Sequence, residues 1–130
     1  MADSMILQTE PILTVHNPTS GATLPMYSLK YPNGTLIQWG INTLTASGSL
    51  TAAPVSGLYW GTFTLYLPEA FESIRFVIDG TTRYATGHML PFGGEGSNVN
   101  SASLIVYDFY ARPNNDGQRI FRWRAIGRWK

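Results

Sequence analysis

Large apolar residues alternate with small or polar ones along most of the chain from residue 26 onward, and turn-forming residues interrupt the alternation at intervals. A period of two is the mark of a β-strand with one buried face, because successive side chains point to opposite sides. The pattern predicts strands over residues 26–31 and 35–42. They flank Pro32, Asn33 and Gly34, where glycine supplies the positive φ of a tight turn. Residues 58–67 (LYWGTFTLYL) read as the next strand. Pro68, Glu69, Ala70 and Phe71 then form a corner into a strand over residues 73–78, and Asp79 with Gly80 predicts a turn into residues 81–86. A last hairpin is expected from residues 103–112 and 118–129, around Asn114, Asn115, Asp116 and Gly117. Two polar stretches rich in small residues, 43–57 and 87–101, read as loops. No stretch carries a convincing helical period, and no segment repeats. The expected architecture is all-β, an antiparallel β-sandwich of about seven or eight strands spanning residues 26–130. Residues 1–25, with Pro11, Pro18 and Pro25 and no sustained period, read as an extended lead-in.

Alternation also assigns faces. Ile37, Trp39 and Ile41 share one side of their strand, and Leu36 and Gln38 share the other. Ile74, Phe76 and Ile78 oppose Arg75 and Val77. In the final strand Phe121, Trp123, Ala125 and Trp129 make an apolar file, with Arg122, Arg124, Ile126 and Arg128 opposite. Trp39 and Trp123 are expected on core faces.

Composition changes this picture in three ways. Charged residues are 13% of the chain, half the usual ~25%, so the surface is expected to be Thr, Ser, Asn, Gly and Tyr, which suits contact with copies of itself or with sugars. The chain has no cysteine, which excludes disulfides, thiolate metal sites and thiol nucleophiles. Charge is uneven: residues 1–118 hold four basic and eight acidic side chains, while the last twelve add Arg119, Arg122, Arg124, Arg128 and Lys130. No apolar run approaches the ~20 residues of a membrane span, and the N-terminus lacks the basic and hydrophobic regions of a secretory signal.

Candidate chemistry is sparse. The basic file Arg122, Arg124, Arg128 and Lys130 can grip phosphate or carboxylate groups of a surface polysaccharide. The alternative is pairing with acids such as Asp108 or with a neighbouring subunit. Nucleic acid fits poorly, because the rest of the chain is acidic. Tyr59 and Trp60 begin a strand beside a loop and can stack on sugar rings. The 87–101 loop offers His88, Phe92, Glu95, Asn98 and Asn100 between glycines, and the hairpin tip offers Asn114 and Asn115. These are the candidate binding residues, with Phe92 as the anchor. His16 and His88 are the only histidines and stand in no metal-ligand spacing, so no metal or other cofactor is expected. No paired carboxylates, nucleophile elbow or phosphate loop marks a catalytic site, and no catalysis is expected.

Three segments resemble the C-terminal tip domains of tailed-bacteriophage tail fibres: YPNGTLIQWG at 31–40, LPEAF at 67–71 and FRWRAIGRWK at 121–130. The resemblance implies a homotrimer, intertwined or side by side, at the distal end of a virion tail fibre. It implies an upstream fibre shaft, synthesis in the host cytoplasm, and adsorption to a bacterial surface glycan or, less favoured, an outer-membrane protein. Trimer contact would cover a second apolar face containing Leu36, Val77 and Ile126. The motifs mark scaffold positions and carry over no receptor contacts. A structural capping or trimerisation module and a free-standing lectin-like domain are the alternatives.

Overall fold

The computed structural model describes residues 10–17, 24–45, 51–52, 59–83, 89–108 and 118–130. They form nine strands and no helix: β1 (Ile12–His16), β2 (Met26–Lys30), β3 (Thr35–Thr45), β4 (Thr51–Ala52), β5 (Tyr59–Tyr66), β6 (Val77–Arg83), β7 (Leu90–Asn98), β8 (Ser101–Asp108) and β9 (Gln118–Arg128). All pair antiparallel in one sheet of order β1-β2-β3-β9-β6-β7-β8-β5-β4.

The sheet is folded over on itself. In that order β9 and β5 stand four places apart, about 19 Å in a flat sheet. Yet the rings of Phe121 on β9 and Phe63 on β5 lie 4.9 Å apart, and Phe92 on β7 meets Phe121 edge-on at 5.0 Å. Only two facing layers bring β9 and β5 together, the sandwich arrangement that the alternation predicts. Between them lies one core of Leu36, Phe63, Leu65, Leu104, Val106, Phe121, Trp123 and Ala125 with their neighbours. Arg119 on β9 and Asp108 on β8 form an ion pair within it, each about 1% exposed at the side chain.

The first hairpin follows its turn chemistry. Gly34 takes φ +103, Asn33 Oδ1 accepts from Thr35 N at 3.0 Å, and Tyr31 N donates to Thr35 O at 2.8 Å. The last strand shows the expected faces: Phe121, Trp123 and Ala125 are buried, while Arg122, Arg124, Ile126 and Arg128 are exposed. The three segments that carry the fibre resemblance meet in space. Gln38 Nε2 donates to the carbonyl of Glu69 and its Oε1 accepts from Glu69 N, both at 3.0 Å. Trp129 Nε1 donates to Tyr31 O at 2.8 Å, and Glu72 N donates to Arg128 O at 2.7 Å.

Several expectations are corrected. Residues 12–16 are not lead-in but the sheet's edge strand, paired residue for residue with β2. The expected loop at 43–57 is shortened at its start, since β3 runs to Thr45, and Thr51 and Ala52 pair with β5. Residues 72–74 are bends, and β6 begins only at Val77. Asp79 and Gly80 lie mid-strand, where Gly80 adopts φ +156 and approaches β9 so closely that a Cβ would sit 1.9 Å from the Arg122 carbonyl oxygen. β8 and β9 do not pair as a hairpin; β9 lies between β3 and β6.

The largest correction concerns residues 87–101, of which 90–98 are strand β7. Two of its glycines, Gly94 and Gly96, are places of close approach. A Cβ on Gly94 would meet Ser103 O at 2.6 Å, and one on Gly96 would meet Ile74 O at 2.5 Å. Leu36 is fully buried, so the outward apolar face contains Val77 and Ile126 but not Leu36. Trp39 points outward as well.

Candidate binding groove on the outer sheet face

Strand register arranges the outer face of β1, β2, β3, β9 and β6 in rows. Leu13, Leu29, Ile37, Ile126 and Val77 are successive partners across the five strands and make one aliphatic row. Leu13, Ile126 and Val77 are exposed. The next row runs Val15, Tyr27, Trp39, Arg124 and Asp79, and beyond it lie Ile41, Arg122 and Thr81.

The second and third rows border a groove of about 580 Å³, within the ~300–1,000 Å³ usual for small-ligand sites. Leu24 and Pro25 also line it. Tyr27 and Trp39 stack with centroids 5.5 Å apart and planes 15° apart, so the two rings lie face to face with an offset and together form an aromatic wall of the groove. Cross-strand pairing dictates this, because Tyr27 and Trp39 are direct partners on β2 and β3. Arg124 is the partner of Trp39 on the other side, and its Nη2 lies 3.6 Å from Asp79 Oδ1. Both side chains are more than half exposed, so the contact is loose and solvent-screened. Arg122 stands between Ile41 and Thr81, and no ion pair joins it to an acid among the described residues.

The rest of the basic cluster is engaged. Arg119 is buried against Asp108. Arg128 donates to Asn33 O at 2.9 Å and to Lys130 O at 3.2 Å, and the Lys130 ammonium lies 4.8 Å from the centre of the Trp129 ring. Of the predicted basic face, Arg122 and Arg124 alone border the groove.

The residues proposed for receptor contact are dispersed. Phe92 is a core residue, 6% exposed, because the strand it belongs to turns it inward against Phe121. Tyr59 is half-buried against the core, whereas Trp60 is exposed and pairs with Tyr107. Glu95 is exposed and, with Ile105 and Tyr107, borders a second depression of about 510 Å³. Asn98 accepts from Val99 N at 2.7 Å, and the Asn100 carbonyl accepts from Leu67 N at 2.8 Å, so both serve the β7–β8 turn. His88, Asn114 and Asn115 lie outside the described residues. The sequence pattern does not single out Tyr27 as a site residue and places Trp39 on a core face. Their signal was the direct pairing across the Pro32–Gly34 turn, which stacks them once their shared face turns outward.

A second polar cluster joins β1, β2 and the corner at Glu69. His16 Nε2 lies 2.9 Å from Ser28 Oγ, Ser28 Oγ donates to Glu69 Oε2, and Lys30 Nζ contacts Glu69 Oε1 at 2.8 Å. Burial works to raise the Glu69 pKa. The hydrogen bonds from Lys30 and Ser28 and the charges of Lys30 and His16 outweigh it, so the carboxyl is held below its ordinary value. Serine, histidine and glutamate meet here, but the carboxylate and the imidazole both face the same hydroxyl, and Ser28 is fully buried. A hydrolytic triad needs the carboxylate to orient the histidine and the hydroxyl to reach substrate. This cluster fastens the edge strand instead.

No protein-family model, curated protein or solved structure matches the chain.

Proposed function

We propose that the chain is the non-catalytic receptor-binding tip of a tailed-phage or prophage tail fibre, adsorbing as a homotrimer to a bacterial surface glycan. The observation that carries this reading is the stacked Tyr27–Trp39 pair, which lines an open groove of about 580 Å³, large enough for a saccharide. Such an aromatic wall offers ring surface to the C–H face of a pyranose. The flanking Arg124 and Asp79 offer donors and acceptors for its hydroxyls. The fibre resemblance supplies the biological setting, and the segments that carry it build the scaffold beneath the groove.

The aliphatic row supports the trimer. Exposed Leu13, Ile126 and Val77 align with half-buried Leu29 and Ile37, a continuous apolar strip rather than scattered residues. The same strip favours a second reading, a purely structural trimerisation or capping module that binds no receptor. Trp39→Ala separates the two. In a glycan-binding tip the variant keeps the wild-type mass in light scattering, about three times the 14.4 kDa chain, and loses binding on a bacterial glycan array. Wild-type binding by the variant would defeat the groove as the receptor site, and a monomeric wild-type chain would defeat the fibre-tip reading.

A further inference from the structure

Resting on the glycan-binding reading, we infer that the groove selects an anionic saccharide, its ring on Tyr27 and Trp39 and its carboxylate or phosphate held by Arg122 and Arg124. Three observations lead there. The two arginines stand two residues apart on the outward face of one strand, so their backbones are separated by about 6.6–6.8 Å. Side chains at that spacing converge on a single oxyanion, and the planar guanidinium fork matches carboxylate and phosphate geometry.

Second, the groove has more positive than negative charge. Arg124 has only the loose 3.6 Å contact with Asp79, and Arg122 is flanked by Ile41 and Thr81, not by an acid. Like charges this close repel, which a bound anion relieves. Elsewhere in the C-terminal cluster the charge is already used: Arg119 by Asp108, Arg128 by main-chain carbonyls and Lys130 by the Trp129 ring.

Third, aromatic wall and cations are contiguous. Trp39 and Arg124 are direct cross-strand partners lining the same groove, so a sugar ring packed against the aromatic pair brings its exocyclic acid group to the arginines without spanning a gap. Two arginines beside an aromatic surface suit one acidic substituent per sugar. They do not make the long basic track that a nucleic-acid backbone requires. Asp79, facing Arg124, orients that guanidinium and remains available to accept from a sugar hydroxyl.

The test is calorimetric titration of the full chain with four probes: an oligogalacturonate, its carboxyl-reduced form, a phosphorylated lipopolysaccharide core oligosaccharide, and its dephosphorylated form. Binding to at least one anionic probe, tighter than to its neutral counterpart and weakened by salt, is expected; which one binds identifies the acid group as carboxylate or phosphate. Arg122→Gln and Arg124→Gln should each lower affinity for that probe about ten-fold or more, as loss of a charge-assisted hydrogen bond implies. Both should narrow the preference for the anionic over the neutral form, whereas Trp39→Ala should weaken both forms alike. Equal affinity for anionic and neutral forms overturns the charge selection and leaves glycan binding standing. Unaltered binding by Arg122→Gln and Arg124→Gln overturns it as well. Failure to bind any of the four probes overturns both.

Discussion

Phe121 is the residue on which closure of the sheet can be measured. It is fully buried on β9, and its ring meets Phe92 from β7 and Phe63 from β5, the latter on a strand that only folding of the sheet brings within reach. Phe121→Ala removes the ring from a site whose neighbours are held on two other strands and cannot readily collapse inward. Such truncations cost about 3–5 kcal/mol. For a chain of 130 residues each kcal/mol lowers the melting temperature by about 3–5 °C, so a drop of about 10–25 °C is expected. Urea denaturation at one fixed protein concentration, followed by tryptophan fluorescence, measures the loss directly. Phe63→Ala should cost a similar amount. Because the two rings touch, the double variant should fall short of the sum by about 0.5–3 kcal/mol. In a flat, open sheet Phe121 would face water on one side, far from β5. A loss below about 1.5 kcal/mol, or strict additivity with Phe63→Ala, would refute the folded-over arrangement.

Three further outcomes are expected. Arg119→Met leaves the Asp108 carboxylate in the core without its guanidinium and should cost about 3–5 kcal/mol in urea denaturation. Gly80→Ala should lose at least about 1–3 kcal/mol and shift amide resonances of β6 and β9, since its Cβ would meet the Arg122 carbonyl oxygen. Glu69 has a folded-state pKa below its ordinary value of 4.5, so its stabilising contribution is complete above about pH 4.5 and is lost as pH falls through the folded value. The stability difference between wild type and Glu69→Gln should therefore be largest near neutral pH and narrow in acid, as denaturation midpoints from about pH 7 down to about pH 3 would show.

Much of the fold was legible because strand period and turn chemistry are local. The turn at Pro32–Gly34, the β5 boundaries and the two faces of β9 all follow from residues within one hairpin's length. Glycine misled where its role was not local. In β7 it reads as loop, but Gly94 and Gly96 are strand positions that leave room for Ser103 and Ile74. Gly80 reads as a turn, yet it lies mid-strand against the β9 backbone. The site was less legible than the fold for the same reason. Phe92 looked like a loop anchor because its neighbours are glycines, and Trp39 looked like core because large aromatics usually are.

By itself, the sequence determined that this is an all-β domain, which side chains share a face of each strand, and that positive charge gathers on β9. Alternation, turns and composition are properties of short stretches and need no partner strand. Only the tertiary structure decided which of two apolar faces turns inward, that β9 sits between β3 and β6, and that Arg119 is buried while Arg122 and Arg124 flank an aromatic groove. Those outcomes depend on pairings between residues far apart in the chain. A period of two labels two faces without saying which one the opposite layer will cover.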